Sequence, residues 1–135
     1  IDYQTIAHIR PTTPIRKLKD LENAIKLFAK SKMSALRSVH QMSETAYKSF
    51  EIKKKSLQPL KNINYDLNKL NMSRQIFPKT YSANGVIDLY KKDFIVKNNK
   101  LFGKKVLAFE TNYTPEIDTL AEFNYINYLL KNDKN

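Results

Sequence analysis

The fold is decided by the stretch TIAHIRPTTPIRKLKDLENAIKLFAK, residues 5–30. Thr5–Ile9 is a short apolar run that predicts a buried strand, and the prolines of Pro11–Pro14 end it. Apolar residues then recur at spacings of three and four, at Leu18, Leu21, Ile25 and Phe28. This periodicity predicts an amphipathic helix from about Leu18 to Lys30, with its lysines outside. A strand, a loop and a helix in this order favour an α/β fold with a partly open or mixed sheet.

Further elements follow along the chain. We expect a strand over Ser34–Met42, although Arg37 and His40 weaken that pattern. The Asn84-Gly85 dipeptide predicts a tight turn that leads into a strand over Val86–Tyr90. A short helix over 91–97 and a strand over 106–109 come next. The order supports the α/β class.

The final helix has the clearest start signal. Thr119 is a suitable N-cap, and Glu122 three residues later completes a capping box. Its predicted buried side consists of Leu120, Phe123, Tyr125, Ile126 and Leu130.

The segment from 43 to 79 is polar, rich in Lys and Asn, and contains Pro59 and Pro78. We expect it to be irregular. So long a connection usually serves as a lid, a binding loop or an arm that joins subunits.

Composition narrows the possible functions. The 135 residues carry a formal net charge of +11, mostly from lysine, which attracts nucleotides, nucleic acid or acidic surfaces. A lysine-rich solvated surface has the same composition. No cysteine is present, which excludes disulfides and thiolate metal sites and suits the reducing cytoplasm. No apolar run approaches the roughly 20 residues that cross a bilayer, so we expect no membrane association.

The segment Glu116-Ile117-Asp118-Thr119 places two carboxylates one residue apart. In an extended chain both face the same way and can hold one cation. Mg²⁺ prefers such oxygen ligands together with substrate phosphates, so this pair is the predicted metal site, with Asp118 also the predicted catalytic residue. Asp118 also fits a simpler role beside the positive end of the following helix, with Glu116 solvated.

Two other segments carry candidate binding residues. Arg10, Thr12 and Thr13 follow the first strand, where ligands of open α/β sheets collect, and can bind phosphate or sugar oxygens. The prolines in this loop could equally shape a turn, with Arg16 paired to Asp20.

The second segment centres on Arg74 and Gln75, followed by Asn84 and Gly85. Arg74 is one of few arginines in a lysine-rich chain, and arginine suits bidentate recognition of a carboxylate or phosphate. A surface arginine has the same sequence signature.

Taken in order, these segments resemble the acylneuraminate cytidylyltransferases, which activate sialic acids with CTP. Residues 6–16 are similar to that family's strand followed by Gln-Pro-Thr-Ser-Pro-Leu-Arg, and residues 38–48 to a strand and loop that carry a sugar-binding lysine. Residues 74–88 resemble its Arg-Gln and Asn-Gly-Ala-Ile-Tyr stretch, and residues 116–119 its Asp-Ile-Asp-Thr.

The resemblance implies a Rossmann-like nucleotidyltransferase domain with a mixed sheet and an inserted dimerisation element. Residues 1–135 would form the C-terminal part of one such domain, and residues 43–79 would be the dimerisation and sugar-binding insertion of a homodimer. CTP and an acidic sugar would be the substrates. The substrate-binding residues would be Arg10, Thr12, Thr13, Lys48, Arg74, Gln75, Asn84 and Asp88.

Departures from the family pattern leave the sugar open. Arg10 stands where the family has glutamine, Asp88 where it has tyrosine, and Ser82 where sialic-acid enzymes have arginine. A related nine-carbon acid of the legionaminic or pseudaminic type is an alternative. Glu116 in place of aspartate keeps the carboxylate on a longer arm. The family's Gly-rich CTP loop has no counterpart here, so we expect the chain alone to be inactive.

Two other classes of function remain open. A non-catalytic interaction module would keep the dimerisation surface without nucleotide affinity. A basic nucleic-acid-binding domain would show steeply salt-dependent affinity, but the two acids at Glu116 and Asp118 argue against a phosphate-binding groove without a cation.

Overall fold

The structure is a computed structural model that describes residues 3–60 and 64–132. They form two compact units. The first comprises the described residues up to His40 and from Ala83 onward, and the second comprises Gln41–Ser82. Among the described helices, none has the length and apolar character needed to span a membrane.

The helices and strands follow one another in the order β1 (Thr5–His8), α1 (Leu18–Ala29), β2 (Ala35–Gln41), β3 (Phe50–Lys53), β4 (Ser56–Pro59), α2 (Leu67–Leu70), β5 (Tyr81–Lys91), α3 (Lys92–Asn98), β6 (Leu107–Glu110) and α4 (Leu120–Asn132). Short 3₁₀ turns lie at Ala46–Lys48 and Arg74–Ile76.

A four-stranded mixed sheet in the order β1-β5-β2-β6 organises the first unit. β1 runs antiparallel to β5, and β2 runs parallel to β6. Lys91 N donates to Ser34 O at one end of the β2–β5 pair, and Met42 N donates to Thr80 O at the other, both at 2.9 Å. β5 therefore also opposes β2. The predicted α/β fold with a mixed sheet is confirmed, and the carboxyl ends of β1, β2 and β6 share one edge.

The hydrophobic core lies between this sheet and α1. Its buried members are Ala24, Phe28, Leu36, Val86, Ile87 and Leu89. The predicted helix is confirmed, but its predicted buried face is partly wrong, because Leu18 is 71% exposed and Ile25 is half exposed. Ala24 and Phe28, one turn apart, face the sheet, and Ile25 lies about 100° further round the helix.

β1 is present but is not the buried strand that the sequence predicts. Only Ile6 is partly buried, and the other three residues of β1 are exposed. The reason is its position at one edge of the described sheet, with β5 as its single neighbour there.

α4 begins with the predicted capping box. Thr119 N donates to Glu122 Oε2 at 2.8 Å, and Glu122 N donates to Thr119 Oγ1 at 3.3 Å. The hydrogen bond from the Thr119 hydroxyl, followed by backbone N–H donors, lowers the pKa of Glu122. The predicted buried side is largely wrong, because Ile126 is buried whereas the other four residues predicted there are exposed: Leu120, Phe123, Tyr125 and Leu130.

The second unit is more regular than the sequence predicts. β3 and β4 form an antiparallel hairpin in which Phe50 lies opposite Pro59. Its two turn residues, Lys54 and Lys55, have φ values of 49° and 65°. Tight two-residue hairpin turns require residues with positive φ, and these positions are usually occupied by Asn or Gly. A lysine pair carries no such signal, so the expectation of an irregular segment is wrong here. The insertion role of residues 43–79 stays a prediction.

Replacing Thr119 with Ala should lower the free energy of unfolding by about 1 kcal/mol, the usual effect of losing an N-cap. Because the pKa of Glu122 is lowered in the folded state, its stabilisation is present above its unfolded pKa and is lost as pH falls through the folded pKa. Urea unfolding across that acid range should therefore show a weaker pH dependence in Thr119→Ala. Glu22→Gln, which alters an exposed acid on α1, is the matched control and should keep the wild-type dependence. Equal unfolding midpoints for Thr119→Ala and wild type would contradict a stabilising cap.

Candidate functional site

Gly85 lies at the centre of the candidate site. β5 runs unbroken through Asn84 and Gly85, so the tight turn predicted there is wrong. Gly85 adopts φ +64° within the strand, a left-handed conformation that glycine accommodates without strain. A Cβ on it would stand 2.6 Å from Thr13 Oγ1, 2.8 Å from Glu116 Oε1 and 3.1 Å from Arg10 Cδ. The absence of a side chain thus lets three predicted site residues meet over one backbone position.

Thr13 connects the loop after β1 to the acidic segment before α4. Its side chain is fully buried, and Oγ1 donates to Glu116 Oε1 at 3.4 Å. Next to it, Ile117 N donates to Thr12 O at 2.8 Å. These two hydrogen bonds fix the Glu116 carboxylate beside the loop, at the sheet edge where ligands of open α/β folds bind.

The predicted metal ligands are carboxylates, the oxygen type that suits an ion shared with a substrate. Glu116 is half-buried and Asp118 is exposed. In the part of the chain that the structure describes, no three His, Cys, Asp or Glu side chains gather as a metal cage. Two carboxylates that leave further positions to phosphates and water suit Mg²⁺. The metal-binding role of both residues, and the catalytic role of Asp118, stay predictions.

Asn84 is 1% exposed and connects β5 to the segment after β6, two strands that are separated by β2 in the sheet. Its Nδ2 donates to Thr111 Oγ1 at 2.6 Å, just beyond β6, and its Oδ1 accepts from Val86 N at 3.4 Å. Both ends of the amide therefore have protein partners. A substrate-binding role for Asn84 stays a prediction.

Asp88 forms a buried ion cluster with two arginines. Its carboxylate is 3% exposed; Oδ2 accepts from Arg10 Nη2 at 3.3 Å, and Oδ1 lies 3.6 Å from Arg37 Nε. The Arg37 guanidinium also lies over the Phe102 ring, 5.4 Å from its centroid. Burial, and then the charge of Asp88, raise the pKa of Tyr90. Sequence reasoning did not assign Arg37 to the site, and the available signal was a charged residue inside a predicted strand.

Arg16 binds backbone rather than Asp20, contrary to the pairing considered above. Its Nε donates to Val86 O at 2.9 Å, and its Nη2 donates to Arg10 O and to Gly85 O. Burial lowers the pKa of Arg16. The guanidinium thereby ties the loop after β1 to β5 at Gly85 and Val86.

A cavity of about 300 Å³ adjoins these residues in the first unit. Its lining includes Arg16, Lys17, Asp20, Asn112 and Tyr113. A cavity of this size is at the small end of ligand pockets.

The remaining predicted residues belong to the second unit. Arg74 and Gln75 line a cavity of about 200 Å³ there, and Arg74 Nη1 donates to Ser43 O. Lys48 Nζ donates to Met72 O at 2.9 Å. Their predicted roles in sugar binding are not tested by these contacts.

The architecture is an α/β fold with a mixed sheet that a solved structure shares. It matches CMP:2-keto-3-deoxy-manno-octonic acid synthetase, solved in complex with CTP, with a TM-score of 0.65 and 13% identity, over 97% of this chain and 63% of that one. In sequence, the chain is 24% identical over 132 residues to post-translational flagellin modification protein B of Campylobacter coli. That alignment covers 96% of this chain, which spans about half (54%) of the relative's length. No protein-family model matches the chain.

Gly85→Ala should destabilise the first unit by about 1–3 kcal/mol, the usual cost of forcing a non-glycine residue into the left-handed region, and crowding at Thr13 and Glu116 should add to it. Chemical denaturation measures the loss. Asn99→Ala is the matched control, because Asn99 has φ 50° but is exposed, and it should lose less. Unfolding of Gly85→Ala at the wild-type midpoint would show that the close approach over Gly85 is absent.

Proposed function

We propose that this chain is part of a cytidylyltransferase that activates an acidic sugar with CTP, of the acylneuraminate cytidylyltransferase type. The observation that carries the proposal is the convergence of Arg10, Thr13 and Glu116 over Gly85, at the carboxyl edge of the sheet. A cation-binding carboxylate beside a guanidinium suits a phosphate-bearing substrate. The fold shared with a synthetase solved in complex with CTP, and the resemblance in sequence motifs, support the same conclusion.

In the proposed reaction the anomeric hydroxyl oxygen of the sugar attacks the α-phosphorus of CTP. The new sugar O–P bond forms as the bond between the α-phosphorus and the β-bridging oxygen breaks, pyrophosphate leaves, and the hydroxyl proton passes to solvent. Reactions of this kind need positioning and neutralisation of charge more than covalent chemistry by the protein. A bound Mg²⁺ would neutralise phosphate charge and orient the reacting group.

The side chains take complementary roles in this proposal. Glu116 and Asp118 hold the metal ion, and Thr13 orients Glu116 through its hydroxyl. The Arg10 guanidinium and the exposed Thr12 hydroxyl bind anionic oxygens of a substrate. We further assign the binding of the sugar acid to three residues of the second unit, Lys48, Arg74 and Gln75.

The sugar is proposed as a nine-carbon acid of the sialic, legionaminic or pseudaminic type, or a related keto-acid sugar. The matched synthetase is named for a 2-keto-3-deoxy-manno-octonic acid, an acidic sugar of eight carbons, and this supports an acidic keto sugar as the substrate class. We place the reaction in the cytoplasm, where CTP is available.

We also propose that the protein acts as a homodimer through the second unit. Apolar side chains on its hairpin are exposed, with Ile52 at 77% and Phe50 and Leu57 also open to solvent. Exposed apolar surface on a hairpin is typical of an interface.

The test is Mg²⁺-dependent release of pyrophosphate from CTP across a panel of acidic sugars. It is run on this chain and on the complete protein encoded by its reading frame. Release with one preferred sugar supports the proposal and identifies the substrate. If a folded, complete protein releases no pyrophosphate with any sugar, the proposed function is contradicted and a non-catalytic dimerisation module is favoured.

In the complete protein, Asp118→Ala should reduce turnover at least about 100-fold, because a catalytic metal ion supplies several kcal/mol of charge stabilisation. Folding should persist, since the Asp118 side chain is exposed. Asp93→Ala, which removes another exposed acid from the first turn of α3, is the matched control and should keep wild-type turnover. Wild-type turnover in Asp118→Ala would show that Asp118 is not a ligand of the metal ion.

A further inference from the structure

Asp88 is buried and is paired with Arg10 and Arg37, as expected for a residue that holds another side chain in position. Its carboxylate is 3% exposed, so a substrate has little access to it. A buried carboxylate is stable only when it is paired, and both of its oxygens face guanidinium groups. The expectation that Asp88 touches substrate therefore does not follow from its contacts.

The cluster has more positive than negative charge. Asp88 carries one negative charge, and Arg10 and Arg37 carry one positive charge each. The cluster therefore carries a net charge of +1, because the two guanidiniums share a single carboxylate. The Arg10 and Arg37 side chains are 34% and 35% exposed, so both guanidiniums reach from the buried carboxylate toward solvent.

Arg10 extends from this cluster to the proposed site. Its Cδ lies 3.1 Å from the point where a Cβ on Gly85 would stand, and Glu116 Oε1 lies 2.8 Å from that same point. In the described residues, one hydrogen bond of the Arg10 guanidinium goes to protein, from Nη2 to Asp88. A guanidinium has five N–H donors, so four remain to bind an anion in a fixed orientation.

We propose that Asp88 and Arg37 are positioning residues that hold Arg10 beside Glu116, where it recognises an anionic group of a substrate. The inference rests on the proposed function for the identity of that substrate. The group is either a carboxylate of the sugar or a phosphate of CTP. Asp88 acts through Arg10 in either case and contacts neither substrate.

The test is a double-mutant cycle with Arg10→Gln and Asp88→Asn in the complete protein. Asp88→Asn should raise the KM of one of the two substrates, the sugar or CTP, about tenfold, while kcat changes little. This is the usual effect of losing a charge-assisted hydrogen bond. Arg10→Gln should raise the same KM at least as much, and the double variant should be no worse than Arg10→Gln. A raised KM for the sugar identifies its carboxylate as the group, and a raised KM for CTP identifies a phosphate. Asp93→Asn is the control and should leave both constants unchanged.

Effects that multiply in the double variant, or an unchanged KM in Asp88→Asn, would overturn the positioning role. NMR of the Arg10 side-chain Nε–Hε group gives a readout that needs no activity. In wild type, guanidinium rotation should be slow, and in Asp88→Asn it should be fast at an unchanged melting temperature. If wild type releases no pyrophosphate with any sugar, the proposed function fails, and the NMR result alone decides whether Asp88 positions Arg10. If Asp88→Asn does not fold, Arg37→Gln replaces it, with the same expectations for rotation and KM.

Discussion

The absence of a side chain at Gly85 is the constraint on which the rest of the site depends. Three side chains from distant parts of the sequence approach the space that a Cβ would fill. The loop after β1 brings two of them, and the segment before α4 brings the third. Arg16 binds the carbonyl oxygens of Gly85 and Val86, so the loop and β5 are held together at the same close approach. Any side chain at position 85 would separate the acid from the loop that orients it.

Beyond Val86, which also belongs to the core, side chains alternate along β5 between two faces with different functions. Ile87 and Leu89 pack with α1 in the hydrophobic core. Asp88 and Tyr90 point to the opposite face, where Asp88 meets its arginine partners. The core face fixes the position of the strand, and the strand thereby fixes a buried charge near the sheet edge. The stability of the core and the geometry of the site are therefore set by the same segment.

Sequence patterns predicted the helices and strands well, and the burial of their side chains less well. The periodicity of α1 and the capping pair of α4 depend on local residues, so both were found. Burial depends on neighbours distant in sequence, and the α4 side chains expected to be buried are mostly exposed. The Lys54-Lys55 turn lacks the Asn or Gly residues from which a tight hairpin turn is usually predicted. The sequence indicated a positive φ at Gly85. An Asn-Gly pair looks the same whether that φ lies in a turn or within a strand, so the turn was predicted in place of the strand.

Arg10 and Asp88 show how contacts change the meaning of a sequence difference. In the resemblance to the sialic-acid enzymes they are two separate departures, at positions 78 residues apart. In the structure they form one ion pair: Arg10 without Asp88 would lose the carboxylate that it binds, whereas Asp88 without Arg10 would keep Arg37 as its partner. The pair is therefore best understood as a single alteration. Glutamine and tyrosine at these positions would be neutral, and the charges of Arg10 and Asp88 also sum to zero, so the pair changes where charge lies and not its total. The two residues together thus place a guanidinium beside Glu116 at the sheet edge and bury its partner carboxylate, without changing the net charge of the two positions.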